Sequence, residues 1–397
     1  MRLRIALLAA CVMRVVPCAA QATPISRAEA VRTALGRAAR LAVARADTAL
    51  ASAQIATARA IPNPALSASY SKSIPKYHYA IDLPLDVPWV RRLRIRSAEL
   101  GLNAAEMRYQ LARATVALDA DTTYTRAVAA RERLVLSKRN ALEADSLLHM
   151  VERRREAGDA SEMDVELARV TAGQQANIAK GDSLVLVSTL LDLQGVLGMT
   201  SERLEVAVTD SLGSPSGAVV PGKTLSEIAA GLSVESTTLA ARLQRRAIWP
   251  QPSITFGFET GDPDQPGLLP TFGVGIGLPL FDRNRGAIAQ AEAERARAVA
   301  EATLAQVEAR NQIAHSIRER EIALARVERD RLLITSANRV ESMSLTAYRE
   351  GAQTLINVLE ARRAAREVLA QYVDDLASAW IATAELRILA LQPGRQP

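Results

Sequence analysis

Residues 271 to 286, "TFGVGIGLPLFDRNRG", alternate strictly. Phe272, Val274, Ile276, Leu278 and Leu280 fall on one face, and Gly273, Gly275, Gly277 and Pro279 on the other. A period of two is the pattern of a β-strand. Three more stretches behave alike, and strands are expected at about 64–72, 77–86, 252–260 and 271–281. Each puts Leu, Ile, Val, Phe or Tyr on one side and Ser, Thr, Gly, Asp or Glu on the other. The rest of the chain reads as helix. Ile25 to Arg59 and Thr224 to Ile248 are two such segments. Leu102 to Ala157 and Ala287 to Glu350 run without a Gly or a Pro. Long helices are therefore expected at about 90–157, 160–197, 286–350 and 353–391. At roughly 1.5 Å per residue, the longest stretches approach ~80 Å.

The order of elements repeats. "IDLPL" (81–85) answers "IGLPL" (276–280), and "REAGDASEMDVELAR" (155–169) answers "YREGAQTLINVLEAR" (348–362). A helix-strand-strand-helix-helix unit is used twice, over 23–198 and 223–397, joined by a Gly-, Pro- and Ser-rich linker at 199–222. Gly158 and Gly351 end the long helices, and glycine best adopts the left-handed terminating conformation. In the last helix the heptad series Leu355, Arg362, Leu369, Leu376, Thr383 and Val358, Ala365, Tyr372, Ala379, Leu386 describe a coiled-coil seam with many small residues.

Four strands of this length, each with one continuous apolar face, match membrane-spanning β-strands with lipid on one side and water on the other. The lipid side would hold Leu66, Tyr70, Tyr79, Ile81, Phe256, Phe258, Val274 and Ile276. A soluble four-stranded sheet packed on helices is the competing reading. Four strands cannot close a barrel, and open edges are not tolerated in lipid, so closure requires several chains. Three would supply twelve strands.

Composition adds an address. The chain is 49% hydrophobic but only 4% aromatic, which suits close-packed helices. Arg2 and Arg4, an apolar run from Ile5 to Val16, and Ala20-Gln21-Ala22 make residues 1–22 a signal peptide. Cleavage there removes Cys11 and Cys18 and leaves no cysteine for disulfides or thiolate ligands. Leu8-Ala9-Ala10-Cys11 also resembles a lipobox, so lipidation of Cys11 stays open. Loss of Arg2, Arg4 and Arg14 lowers the net charge from +6 to +3, which gives no support to a nucleic-acid partner. His78, His149 and His315 lie in different elements without ligand spacing. Neither a phosphate loop nor a nucleophile motif is present, so no enzyme, cofactor or metal site is expected.

"PNP" before the first strand, "GLPLFDRNRG" before the long helix and "YREGAQTLINVLEARR" near the second glycine resemble the outer-membrane factors, the TolC-like proteins of bacterial efflux and secretion systems. "LPLFDRNRG" most resembles the heavy-metal (cobalt-zinc-cadmium or copper) branch. The resemblance covers nearly the whole mature chain. It implies a homotrimer in the outer membrane of a Gram-negative-type bacterium, with a twelve-stranded barrel and an α-helical coiled-coil tunnel. It also implies a periplasmic adaptor and an inner-membrane pump of the resistance-nodulation-division type as partners. Small solutes, heavy-metal cations among them, would be the cargo. The alternatives are a type I protein-secretion channel or a soluble periplasmic coiled-coil scaffold.

In that family the turns after the two glycines form the periplasmic tip and gate. The resemblance places the gate at Met163, Asp164, Tyr348, Gln353, Asn357 and Glu360. The family's tip Tyr and Gly match Tyr348 and Gly351. A frequent Arg is replaced by Gln353, and two aspartates fall on Asn357 and Glu360. Rings of Asp164 and Glu360 carboxylates would then line the tunnel entrance.

Overall fold

The computed structural model describes residues 23–200, 203–217, 220–248 and 251–391. The expected signal peptide and both cysteines lie outside them. The elements are β1 (Thr23–Ile25), α1 (Arg27–Arg37), α2 (Ala39–Arg59), β2 (Ala65–Tyr70), β3 (Tyr77–Pro84), α3 (Pro88–Glu156), α4 (Glu162–Val196), β4 (Val206–Val208), α5 (Leu225–Arg246), β5 (Ser253–Thr260), β6 (Leu269–Gly275), α6 (Arg285–Arg349) and α7 (Leu355–Leu389). The duplication is therefore visible as β2-β3-α3-α4 followed by β5-β6-α6-α7.

Three expectations are corrected. The segment 25–59 is two helices, because Ala38 is extended (φ −61°, ψ 118°) and separates α1 from α2. Gly36, in the last turn of α1, is the one Gly or Pro of the segment, and the break itself falls on Ala38. Residues 199–222 are more than a linker: β4 lies inside them and pairs in parallel with β1, Thr23 opposite Val206 and Ile25 opposite Val208. The strand expected over 271–281 spans Leu269–Gly275 instead. Ser253, the first residue of β5, faces Gly275, so Ile276, Leu278 and Leu280 have no strand opposite them. These three continue the alternation while lying exposed beyond the sheet.

The largest core gathers Ala30, Leu41, Val116, Tyr124, Val128, Leu193, Leu197 and Val206. It joins α1, α2, the middle of α3, the end of α4 and β4. Tyr124 is fully buried. Its hydroxyl donates to the Ile25 carbonyl (3.0 Å) and accepts from the amides of Thr209 and Asp210 (3.3 Å each). Arg131 donates to the carbonyls of Val208 and Asp210. These bonds fasten the segment joining the repeats to the middle of α3.

The heptad seam of α7 is present. Leu355, Val358, Ala365, Leu376, Ala379, Thr383 and Leu386 are buried, while Arg362, Leu369 and Tyr372 are half-buried. The facing positions of α6 include Ala309, Ser316, Ala323, Asp330 and Ser344, all buried and in register at sevens. That spacing is knobs-into-holes packing with small residues, which lets the helices run close together.

Candidate functional site

Two regions remain without a packing partner that would explain their chemistry. The first is the sheet, in the order β2-β3-β5-β6 with every pair antiparallel. Its register stacks the apolar positions in rows. Leu66, Ile81, Phe256 and Phe272 form one row, and Leu83, Ile254 and Val274 part of another. Tyr79 stacks on Phe258 with centroids 5.0 Å apart, and Phe256 meets Phe272 edge-on at 5.8 Å. Cross-strand aromatic pairs of this kind stabilise a sheet. All the apolar residues assigned to this face are nevertheless exposed, Leu66 by 78% and Val274 by 73%. Tyr70, Tyr79, Ile81 and Phe258 are also exposed, and Ile276 alone of the assigned set lies outside the strands. A contiguous bare patch this apolar marks a membrane or partner surface.

The opposite face is polar and crowded. Thr255 donates to Asp82 (2.9 Å), and His78 pairs with Glu259 (3.1 Å). A Cβ at Gly257 would lie 2.6 Å from both Thr271 Oγ1 and the Tyr79 carbonyl oxygen. Glycine there is a matter of room. The alternation seen in the sequence is thus an apolar open face backed by a tight polar one.

The second region is the pair of turns at the far ends of the long helices. Helix α3 closes with a Schellman motif. Gly158 is left-handed (φ 86°), its amide donates to Arg155 (2.9 Å), and the Asp159 amide donates to Arg154 (2.8 Å). Helix α6 closes identically: Gly351 has φ 75°, and the bonds run from Gly351 to Tyr348 (3.1 Å) and from Ala352 to Ala347 (2.8 Å). Both patterns satisfy the last orphan carbonyls of a helix.

The two turns are held side by side by one core of Leu147, Val151, Val165 and Ala168 from the first hairpin and Tyr348, Leu355 and Val358 from the second. Tyr348 is buried there, and its hydroxyl has no hydrogen-bond partner. Burial raises the phenol's pKa above its ordinary value; Arg154 works against the rise and Asp164 adds to it. The Arg154 guanidinium lies 4.7 Å from the Tyr348 ring and donates to the Tyr348 carbonyl. A cation on an aromatic face and on a helix's last carbonyls is favourable twice over.

Arg154 is therefore a site residue that the sequence reading did not single out. Its signal was the run Arg153-Arg154-Arg155 in the last turn of α3, where basic groups complement the helix dipole.

The other gate residues separate. Asp164 is the N3 residue of α4, and its carboxylate accepts from the Ser161 amide (3.0 Å) and hydroxyl (2.8 Å) in a capping box. Asn357 holds the equivalent place in α7, is exposed, and Thr354 makes no side-chain cap there. Gln353 accepts from the Ser344 hydroxyl at 3.3 Å. Met163 is 63% exposed. Glu360 is exposed one turn further along and lines a cavity of about 500 Å³ with Arg133, Asp182, Arg363, Arg366 and Glu367. Burial, followed by the neighbouring Arg362, lowers the pKa of Arg366. The assigned gate thus divides into a buried anchor, a committed cap and a group of exposed side chains.

The flanks of the molecule share one further property. The sheet ends in β2 on one side and β6 on the other. On the near side of the helical part, α2 packs on α3, α3 on α5 and α5 on α6; on the far side, α4 packs on α3, α3 on α7 and α7 on α6. In all three layers one flank belongs to the first repeat and the other to the end of β6-α6. The flanking helices carry exposed apolar residues: Val43 and Leu50 on α2, Leu184 on α4, and Leu304, Leu332 and Val340 on α6. Among the described residues no helix is long and apolar enough to cross a membrane, and no three His, Cys, Asp or Glu side chains form a metal-holding group.

The comparisons with known proteins agree with this layout. The nickel-cobalt-cadmium resistance protein NccC of Alcaligenes xylosoxydans xylosoxydans is 26% identical over 285 residues, which is 68% of this chain and 64% of NccC. The pyoverdine export outer membrane protein OpmQ of Pseudomonas aeruginosa is 27% identical over 362 residues, 81% of this chain and 75% of OpmQ. The crystal structure of a membrane protein from Pseudomonas aeruginosa superposes with a TM-score of 0.77 at 20% identity, covering 92% of this chain and 93% of the other. The outer membrane protein VceC of Vibrio cholerae superposes with a TM-score of 0.74 at 19% identity, covering 92% and 96%. The family model described as outer membrane efflux protein matches residues 30–198 and 228–390, both repeats in full outline, and the chain belongs to that family.

Proposed function

We propose that three copies of this chain close into a twelve-stranded outer-membrane barrel continued by an α-helical tunnel through the periplasm. The channel would be the exit duct of a tripartite efflux system. Its partners would be a periplasmic adaptor and an inner-membrane pump of the resistance-nodulation-division type, in a Gram-negative-type bacterium. The observation that carries the reading is the shared pair of open flanks. Sheet, near helices and far helices all stop at the same two sides, so one rotation that joins β6 to β2 also brings α6 to α2 and α4 of the next copy. Closure in that way removes every sheet edge, which lipid demands. The bare apolar face then meets hydrocarbon, and Asp82, His78 and Glu259 meet water.

The cargo reading is heavy-metal cations, supported by the likeness to NccC. The likeness to OpmQ favours an organic compound as the second reading. Growth of a deletion strain, with and without the gene, on cobalt, zinc, cadmium or copper salts separates the two. For the gate, the carboxylates that would form rings at the entrance are Asp164, which also caps α4, and the exposed Glu360. Like charges gathered in a constriction attract cations by their summed field.

Detergent-extracted protein is expected to sediment as three chains. Phe256→Arg places a charge toward lipid at a cost of about 2–4 kcal/mol near the midplane and should abolish assembly. Thr255→Arg points to the water side and should be milder. A monodisperse water-soluble monomer, or equal assembly of both variants, overturns the reading. Glu360→Gln should leave trimers intact and reduce cation preference in planar bilayers.

A further inference from the structure

Helix packing buries two carboxylic acids face to face in the wall. Asp330 of α6 and Asp375 of α7 are 7% and 4% exposed. They sit in the seam beside Ala323, Val327, Leu376 and Ala379, where small side chains bring the two helices close. Asp375 has donors of its own: the Gln371 amide at 3.1 Å and, more remotely, Arg326 at 3.8 Å. Asp330 is poorer, for its Oδ2 is buried and no donor reaches it. An anionic oxygen left so would cost the full desolvation of a charged acceptor. Two carboxylates side by side escape this only if one keeps its proton and donates it to the other.

We propose that Asp330 and Asp375 share one proton across the α6–α7 seam and form a pH-sensitive latch in the tunnel wall, closed while the proton is held and loosened when it leaves. The role as a tunnel wall rests on the proposed channel; the latch itself belongs to the hairpin. The charged groups around the pair are few. Arg326 and Arg329 approach from α6 and favour ionisation of Asp330, though burial and Asp375 outweigh them and raise its pKa above 3.8. On the α7 side stands Asp374, bound by Arg133 of α3 through both carboxylate oxygens (2.9 and 2.8 Å). Burial raises the pKa of Asp374, Arg133 opposes the rise, and Asp375 and Asp182 of α4 add to it.

The sign follows from linkage. A carboxyl whose folded pKa is raised holds its proton more tightly in the folded seam than in the unfolded chain. Its contribution is fully present below 3.8 and is lost as pH rises through the folded value. Acid therefore tightens this seam, and neutral pH loosens it. Asp374 acts with the same sign.

Hydrogen exchange on the full, detergent-solubilised protein tests the proposal. After correction for the intrinsic pH dependence of exchange, amides of 323–334 and 372–379 should exchange several-fold faster at about pH 8 than at about pH 4.5. Asp330→Asn keeps the shape and can donate to Asp375 at every pH, so most of the rise should vanish, leaving the part due to Asp374. Infrared difference spectra of the wild type should show the C=O band of a protonated buried carboxyl that disappears on alkalinisation. This second measurement does not depend on the variant folding. Equal pH profiles for wild type and Asp330→Asn, or the lack of that band, overturn the latch. The oligomeric state, read on the same samples by light scattering, reports separately on the channel reading.

Discussion

Helix α3 ends at Gly158 and helix α6 at Gly351 with the same left-handed glycine and the same pair of carbonyl contacts, yet the helices that leave the two turns are started differently. Ser161 and Asp164 cap α4 reciprocally, whereas Thr354 and Asn357 give α7 no side-chain cap. Ending a helix is a backbone problem that glycine solves wherever it occurs. Starting one calls for particular side chains, and there the repeats have diverged. The uncapped turn belongs to the hairpin that also carries the buried acid pair.

The middle of the hairpins differs too. From 169 to 189, α4 has no buried residue, while the corresponding part of α7, 362 to 382, buries Ala365, Asp375, Leu376, Ala377, Ala379 and Ala382. Helix α7 packs along both α3 and α6, whereas α4 packs along α3 and meets α6 and α7 chiefly at the tip core. Burial follows place in the wall rather than descent from a common repeat. Ile178 and Leu184 of α4 accordingly stay exposed.

The largest expected effect comes from uncoupling the two tips. Tyr348→Ala should cost about 3–5 kcal/mol, as for other buried aromatics, and should speed proteolysis at both turns, because the core around it contains residues of both hairpins. Tyr348→Phe should be neutral or stabilising, since the hydroxyl is buried without a partner. A loss comparable to that of Ala would mean that a neighbouring copy supplies that partner.

Next comes the shared ending. Gly158→Ala and Gly351→Ala should each cost about 1–2 kcal/mol of local stability, the penalty of a left-handed L-residue. A Cβ meets nothing within 4 Å at either place, so the two effects should match in local hydrogen exchange. Unequal values would show that one turn is strained by assembly.

The smallest effect tests the divergence. Ser161→Ala should cost about 1 kcal/mol at the start of α4. Thr354→Ala should cost less at the start of α7, because no cap bond is lost. Exchange of the first-turn amides of the two helices reads both. Equal losses would erase the distinction between the turns.

Much of this was written in the order of residues. Period-two alternation located the four strands of the larger sheet, and two runs free of Gly and Pro located the bodies of α3 and α6, because one-dimensional patterning is what sets the side chains of such elements on a face. The two terminating glycines were equally legible. The end of β6 was not: alternation continues through Leu280, but β5 begins at Ser253 and offers no partner beyond Gly275. Pairing decides where a strand stops. The pairing of β1 with β4 was invisible for the same reason, as it depends on residues some 180 positions apart being brought together.

The site shows the same division. Sequence alone determined that the chain has a two-faced sheet, long helices in duplicate and two glycine turns, since each follows from local spacing and backbone freedom. Tertiary structure decided the rest. It placed Arg154 on Tyr348, set Asp164 as a cap of α4, buried Asp330 against Asp375, and left the same two flanks open in three layers. These are consequences of which helix lies beside which, and neighbours distant in the chain are chosen by packing, not by any local pattern of residues.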